Sequence, residues 1–290
     1  YLKDSQQVTD ELKTIPTPLP LNALLFTADT NSMYDNINTE HAIKVITWFL
    51  DKLGPLLPPG FPIEAVKPAM EIIMKNNIFT WGVLFFLQCM GTAMGTSAAV
   101  IWVTLYYGYH KNNCLIPKYG NNMLYFKGFV DNIFGIWLLH DTSAWSDFCN
   151  DVNDFGILTW KINEPSFTVD FLDLTISINN GNLETKTFQK ALNLYLYLPP
   201  ASAHPDGVIT GTIYGLVGRY YAQNTHRKIC THQWLFEGPT LGSGILCIAC
   251  KFTEVSNDGM AHILGHLHRH ARIVQAHHVE VFGQLQSQPT

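Results

Sequence analysis

From Asn76 to Tyr109 the chain contains no Asp, Glu, Lys or Arg. An uncharged run of this length is long enough to span a bilayer. Its first part, NNIFTWGVLFFLQ, is instead rich in β-branched and aromatic residues around Trp81-Gly82, which predicts a hairpin, and GTAMGTS then interrupts the run with turn-forming residues. We therefore predict two strands, a loop and a buried helix over about residues 96–107. A membrane or scaffold protein built around this run is the alternative.

A second stretch, MLYFKGFVDNIFGIWLL at residues 123–139, consists of two apolar runs joined by Asp131 and Asn132. An Asp-Asn pair tolerates the positive φ angles of a two-residue turn, so the pattern predicts a β-hairpin with these two residues at its tip. The apolar flanks indicate a hairpin that packs onto a core. A carboxylate in that setting needs a partner, and a metal ion is one candidate.

Composition limits the class of protein. With 290 residues, 47% of them hydrophobic and 14% charged, the chain can form one large domain or two modest ones. Six scattered cysteines favour a reducing compartment over a disulfide scaffold. The net charge of −5 argues against a protein that simply coats nucleic acid, but not against an enzyme with a local nucleic-acid groove. Because the chain does not begin with Met, we expect a fragment of a longer polypeptide.

Hydrophobic periodicity predicts an α+β fold, in which an antiparallel sheet carries acidic residues at its strand ends and helices pack on one face. We expect helices at residues 5–15, 39–53, 96–107 and 143–155, and a further helix that follows the loop GPLLPPGFP and ends near residue 75. Strands are expected at residues 22–28, 123–130, 133–139, 157–162, 167–178 and 183–190. Residues 111–122 are expected to form a polar loop, and the region after residue 206 to be mostly helical.

Two of the acidic residues stand at strand ends. Asp29 ends the buried strand NALLFTA, and Asp131 lies at the tip of the predicted hairpin. If these strands are neighbours, the carboxylates converge at one edge of the sheet. A pair of carboxylates can hold two Mg²⁺ ions for in-line phosphoryl transfer, and Mg²⁺ suits such a site because it retains water and phosphate ligands.

Five segments in order, FTADTNSMYDNI, QCMGTAMGTSAAV, YFKGFVDNIFGIW, VDFLDLTISI and FQKALNLYLYLPPASAHPDGVITGTIYGLVGRYYAQNT, resemble the palm motifs of reverse transcriptases, above all those of Penelope-like retroelements and related reverse-transcriptase-like proteins of protists. The resemblance covers residues 1–225. It implies an α+β polymerase palm with an antiparallel sheet and packed helices over residues 1–205, with the fingers truncated upstream. A mainly helical, thumb-like region with a degenerate C-terminus would follow over residues 206–290.

The resemblance also implies roles for individual residues. Asp29 and Asp131 match the catalytic aspartates that bind metal, and Asn132 stands where the family usually has a second Asp, so Asn132 contributes an oxygen without a charge. Tyr34 matches the aromatic residue that excludes a ribose 2′-hydroxyl from the nucleotide site. The loop AMGTS matches a segment that contacts the templating base and the nucleotide, through Ala93, Met94 and Gly95.

Further positions follow from the same resemblance. Lys190 falls where related polymerases have a lysine beside the triphosphate, and a proton donor to the leaving pyrophosphate would suit that place. Ser202 and His204 match the region near the primer terminus, and Arg219 is expected to contact the phosphate backbone.

The C-terminal tail contains Cys247-x-x-Cys250 upstream of four histidines, which are His262, His266, His268 and His270. This pattern allows a zinc site with two cysteine and two histidine ligands. The alternative is that the histidines form a polar helix face.

Taken together, the resemblance implies an RNA-directed DNA polymerase core of a retroelement that uses two Mg²⁺ ions, with Mn²⁺ as an alternative. The expected partners are an RNA template, a DNA primer and dNTPs, with no membrane. The expected location is intracellular, and the nucleus for a retroelement protein. The alternative is a decayed or domesticated relative that binds nucleic acid without polymerising, which Asn132 and the net negative charge favour.

Overall fold

The computed structural model describes residues 1–188, 204–205 and 207–225. The chain divides into two compact units, Tyr1–Leu183 and Glu184–Thr290. The predicted palm boundary at residue 205 stays a prediction, since residues 189–203 and 206 lie outside the described part.

Seven α-helices lie in the described part of the chain, and several begin at a side-chain cap that the sequence indicates. The Asn38 side chain accepts a hydrogen bond from the His41 amide at the start of α2, and Asp141 accepts one from the Ser143 amide at the start of α6. The helices are α1 (Ser5–Leu12), α2 (Thr39–Leu53), α3 (Ile63–Lys75), α4 (Ala99–His110), α5 (Ile116–Tyr119), α6 (Thr142–Asn153) and α7 (Val208–Gln223).

Nine strands form three antiparallel sheets within the described residues. The strands are β1 (Ala23–Thr30), β2 (Ile78–Trp81), β3 (Leu84–Leu87), β4 (Met123–Phe129), β5 (Asn132–Leu138), β6 (Trp160–Ile162), β7 (Thr168–Phe171), β8 (Leu174–Asn179) and β9 (Asn182–Thr187). The largest sheet has the order β4-β5-β1-β6, and the others are β2-β3 and β7-β8-β9. The strand that carries Asp29 is therefore the direct neighbour of the hairpin that carries Asp131.

Each face of the largest sheet is covered by its own hydrophobic cluster. On one face, the buried aromatic rings of Phe26 and Trp137 pack against Phe148 of α6, with ring centroids 5.4 and 4.9 Å away. On the other face, Leu25 and Phe134 join a cluster that includes α1 and the β7-β8 hairpin. The predicted mixed fold of an antiparallel sheet with packed helices is confirmed.

The uncharged run folds as predicted into a hairpin and a separate helix. Strands β2 and β3 pair from Ile78↔Leu87 to Trp81↔Leu84, and α4 buries Trp102 and Tyr106. No helix within the described residues is long and apolar enough to cross a membrane.

Two local predictions are wrong. Residues 111–122 are helical, a π-helix at Lys111–Leu115 followed by α5 and a short 3₁₀-helix, because Leu115 and Tyr119 are buried in the core at helical spacing. The predicted strand over residues 167–178 is instead the β7-β8 hairpin, which turns at Leu172 with a φ of 55°.

Candidate active site

The turn between β4 and β5 differs by one residue from the predicted one. Asn132 is the first residue of β5 and pairs with Phe129, so the turn residues are Val130 and Asp131. Val130 has a φ of 49°, in the left-handed region that a β-branched residue rarely adopts. Strained backbone of this kind is concentrated at functional sites, where the surrounding structure enforces it.

Contacts with β1 and with Asn132 hold Asp131 in place. The Thr30 amide and hydroxyl both donate to the Asp131 carbonyl oxygen, at 3.0 and 2.9 Å. The Asn132 side-chain amide donates to the Asp131 carboxylate at 2.9 Å. The backbone of the turn is therefore fixed to the neighbouring strand, while the carboxylate retains acceptor capacity.

Asp29 lies beside this turn. It is directly opposite Asn132 in the β1-β5 ladder, so both side chains lie on the same face of the sheet, and Asp29 is exposed. On its other side, Asp29 is opposite Lys161 of β6. The edge of the sheet thus presents Asn132, Asp29 and Lys161 in one row, with Asp131 in the adjoining turn.

Tyr34 follows β1 in the turn that leads to α2, and it is half-buried. Burial and the negative charge of Asp131 both raise the pKa of the Tyr34 hydroxyl. The charge of Asp131 therefore acts on the phenol of Tyr34.

The glycine-containing loop before α4 packs against the backbone around Tyr34. The Gly91 amide donates to the Ile37 carbonyl at 2.8 Å, and the Thr92 amide donates to the Tyr34 carbonyl at 2.7 Å. Further along the loop, Ala93 is half-buried, whereas Met94 and Gly95 are exposed. The loop is therefore attached to the same part of the molecule as the aspartates.

The structure thus places Asp29 and Asn132 opposite each other with Asp131 in the adjoining turn, and it attaches the loop before Ala93, Met94 and Gly95 to the backbone of Tyr34. The catalytic, metal-binding and nucleotide-binding roles of these residues stay predictions.

The other predicted site residues belong to the second unit or lie outside the described residues. His204 and Arg219 are exposed in the second unit. Lys190, Ser202 and the Cys/His-rich tail lie outside the described residues. Their predicted roles stay predictions.

The donor set at the sheet edge fits Mg²⁺. Within the described residues, no group of three or more His, Cys, Asp or Glu side chains is arranged to hold a metal ion. Asp29 and Asp131 provide two carboxylates at adjacent strand ends. Mg²⁺ commonly binds through one or two protein carboxylates and completes its six ligands with water and substrate phosphates. This carboxylate pair therefore fits the ion when a nucleotide is bound with it.

Sequence reasoning missed two residues of this edge, Lys161 and Thr30. Lys161 is opposite Asp29, and Thr30 binds the Asp131 carbonyl. The signal that identifies Lys161 is the register between β1 and β6, which are separated by about 130 residues in the chain. Nothing in the local sequence indicates that register.

No family model and no curated protein matches the sequence. The structure of telomerase from Candida albicans in complex with a TWJ fragment of telomeric RNA is similar to this chain, with a TM-score of 0.50 and 9% identity over 63% of this chain and 34% of the telomerase. Apo telomerase from Candida tropicalis, truncated from its C-terminal domain, has a TM-score of 0.48 and 15% identity over 63% of this chain and 40% of that one. The BmCPV RNA-dependent RNA polymerase at elongation state has a TM-score of 0.44 and 14% identity over 59% of this chain and 17% of that polymerase.

The chain spans about two fifths or less of the length of these polymerases. At such identities the likeness concerns the fold alone. The described part of the chain therefore has a mixed helix and antiparallel-sheet fold similar to that of a nucleic-acid polymerase.

Proposed function

We propose that this chain is the core of an RNA-directed DNA polymerase, and more narrowly of a reverse transcriptase of the Penelope-like kind. One observation carries the proposal: Asp29 and the strained Asp131 turn lie at the ends of adjacent strands, and the charge of Asp131 acts on Tyr34. The polymerase-like fold and the ordered sequence motifs support the same conclusion.

Each residue has a defined task in this proposal. Two Mg²⁺ ions, when bound with the nucleotide, would activate the primer 3′-hydroxyl and stabilise charge on the leaving pyrophosphate. Asp29 and Asp131 would hold them, and Thr30 keeps the Asp131 turn in register by its two hydrogen bonds. Tyr34 would occupy the space of a ribose 2′-hydroxyl and so select dNTPs.

A second candidate is a relic that binds an RNA–DNA hybrid without polymerising. The specific observation is Asn132, whose side-chain amide donates to the Asp131 carboxylate. That bond withdraws electron density from a metal-binding oxygen, and Asn132 adds no negative charge of its own. Both effects weaken divalent cation binding.

Primer extension on an RNA template with a DNA primer and dNTPs tests the proposal. Native protein and Asn132→Asp are compared in Mg²⁺ and in Mn²⁺. The new carboxylate adds charge beside the metal site, so we expect Asn132→Asp to extend the primer about tenfold faster in Mg²⁺ and to depend less on Mn²⁺.

Asn150→Asp provides a control. Asn150 is exposed on α6, so its replacement by Asp adds the same charge away from the site. If native protein and Asn132→Asp both bind hybrid but neither extends the primer, the chain is a binding relic and the polymerase proposal is wrong.

The sugar-selecting role of Tyr34 gives a separate prediction. Removal of the ring by Tyr34→Ala should raise the rate of rNTP incorporation relative to dNTP incorporation at least about tenfold, since space opens for the 2′-hydroxyl. Tyr34→Phe keeps the ring and should retain the selection for dNTPs. Single-nucleotide incorporation with matched rNTP and dNTP measures both. Equal discrimination in native protein and Tyr34→Ala would contradict this role.

A further inference from the structure

The β2-β3 hairpin is a surface that the proposed polymerase function does not use. Strands β2 and β3 pair with each other, and no third strand within the described residues extends this sheet. Every residue of the two strands is exposed. The hairpin therefore presents both of its faces and both of its edges. A two-stranded hairpin of this kind is marginally stable in water unless it packs against something.

The exposed side chains of this hairpin are apolar on both faces. Trp81 projects from one face and Phe85 from the other, and they are 79% and 78% exposed. Cross-strand pairing places the remaining large apolar side chains on the same two faces, Phe79, Leu84 and Phe86 with Trp81, and Ile78 and Leu87 with Phe85. Thr80 is the one polar residue of the two strands.

The apolar area of the hairpin is large enough for a protein interface. Since a fully buried aromatic side chain covers about 150–250 Å², the two faces together offer on the order of 1,000 Å² at the observed exposures. The largest apolar patch of a typical monomer is about 300–600 Å². A stable interface buries about 800 Å² on each partner. One hairpin therefore presents as much apolar area as one side of a stable dimer requires.

The chemistry of the hairpin indicates an uncharged protein as its occupant. The hairpin lies in the run from Asn76 to Tyr109 that contains no Asp, Glu, Lys or Arg. A nucleic-acid strand needs basic side chains for its phosphates, and a partner recognised by charge needs complementary charges. A lipid bilayer supplies no hydrogen-bond partners for the outward N–H and C=O groups of two edge strands. An apolar protein surface meets all of these conditions.

We infer that the β2-β3 hairpin is the interface through which two copies of this chain form a dimer. A second copy presents the same uncharged apolar surface, so two hairpins match in a two-fold arrangement without any pattern of charges. Monomeric proteins protect their edge strands with Lys, Pro or other charged residues, and residues 78–87 contain none of these. The inference does not depend on the proposed polymerase function, because the hairpin contains neither Asp29 nor Asp131.

Sedimentation velocity of the full chain over a range of concentrations tests the inference. Interfaces of this size bind with micromolar or tighter affinity, so we expect native protein to sediment as a dimer at micromolar concentration. The double variant Trp81→Lys with Phe85→Lys places one charge on each face of the hairpin. It should raise the dissociation constant of the dimer at least about 100-fold, because both charges would be buried without partners.

Two further double variants control for the added charges and for the loss of the aromatic rings. Leu21→Lys with Leu56→Lys adds the same two charges at exposed leucines outside the hairpin, and it should dimerise like native protein. Trp81→Phe with Phe85→Leu keeps the hairpin apolar and should also dimerise.

Hydrogen exchange provides a second measurement that needs no variant. The backbone amides of residues 78–87 should exchange more slowly in native protein as its concentration rises through the dissociation constant, because the dimer covers them. Exchange at these residues that is independent of concentration would contradict an interface at the hairpin.

Loss of the dimer in the hairpin lysine variant, with the dimer retained in both control variants, supports the inference. Native protein that stays monomeric, a hairpin lysine variant that still dimerises, or an open series of larger aggregates overturns it. Monomeric native protein that sediments with phosphatidylcholine vesicles would show that lipid is the occupant, and this also overturns the inference. Primer extension is measured separately, so failure of the dimer leaves the proposed function standing.

Discussion

Replacement of Asp131 by Asn is expected to lower primer extension at least about 100-fold, because the variant loses the charge of a principal metal ligand. The fold should survive the change. Thr30 binds the backbone carbonyl of residue 131, which is still present, and the Asn132 side chain can still donate to an oxygen at the same place.

The same substitution should weaken Mn²⁺ binding by the chain alone, so the role of Asp131 in metal binding can be measured without catalysis. Asp147→Asn is a matched control, since Asp147 is an exposed carboxylate on α6. It should leave both primer extension and Mn²⁺ binding near their native values. Unchanged Mn²⁺ affinity in Asp131→Asn would refute the assignment of this residue as a metal ligand.

The hairpin at Asp131 could be predicted from sequence because its information is local. Two apolar runs around a short polar break define a hairpin wherever the runs end up in the fold. The predicted turn lies one residue away from the observed one, because the residue types favour Asp-Asn at the tip. The structure places Val130 there instead, with a φ that its side chain disfavours. Such strain is maintained by tertiary contacts, here the bonds from Thr30 to Asp131.

The helical segment after α4 shows a different limit of prediction from sequence. Lys111 and its polar neighbours indicate a loop, yet the Lys111 side chain is buried between the rings of Tyr1 and Phe126, 5.6 and 5.0 Å from the ammonium. Burial lowers the pKa of Lys111 to about 8. A long lysine side chain can occupy a core position through its methylene groups, and hydrophobic pattern alone does not reveal this.

Site residues contributed by distant strands were the hardest to predict. The predicted adjacency of the strands that carry Asp29 and Asp131 is confirmed, since β1 and β5 are neighbours in the sheet. Lys161 was missed because it depends on the register of β6 against β1. A shift of one residue would place Trp160 or Ile162 opposite Asp29 and turn Lys161 to the other face. Burial of Trp160 and the packing of half-buried Ile162 against the same core cluster fix the register.

Gly91→Ala is expected to lower the free energy of unfolding by about 3 kcal/mol or more, the sum of a left-handed backbone penalty and an overpacking penalty. Gly91 has a φ of 80°, which an Ala adopts only at a cost. A Cβ at this position would also overlap the carbonyl oxygen of Tyr34 and approach the Cα of Asp35 to 2.9 Å. Both obstacles are backbone atoms that cannot rotate away.

Gly95→Ala separates these two penalties. Gly95 has a φ of 90°, so an alanine there has the same unfavourable backbone conformation, but its Cβ meets nothing within 4 Å. We expect this variant to lose only about 1–2 kcal/mol. Urea unfolding followed by tryptophan fluorescence measures both variants. Equal losses would show that the close contact between the loop and the Tyr34 backbone does not exist in solution.

The same pair of variants connects the fold to the proposed chemistry. Relief of the clash in Gly91→Ala requires the Tyr34 backbone to move, and Thr92 then loses its 2.7 Å hydrogen bond to the Tyr34 carbonyl. If Tyr34 selects the sugar, the folded fraction of Gly91→Ala should discriminate less against rNTPs, as Tyr34→Ala does. Gly95→Ala should discriminate normally. Normal sugar selection by folded Gly91→Ala would mean that the position of Tyr34 does not depend on this loop.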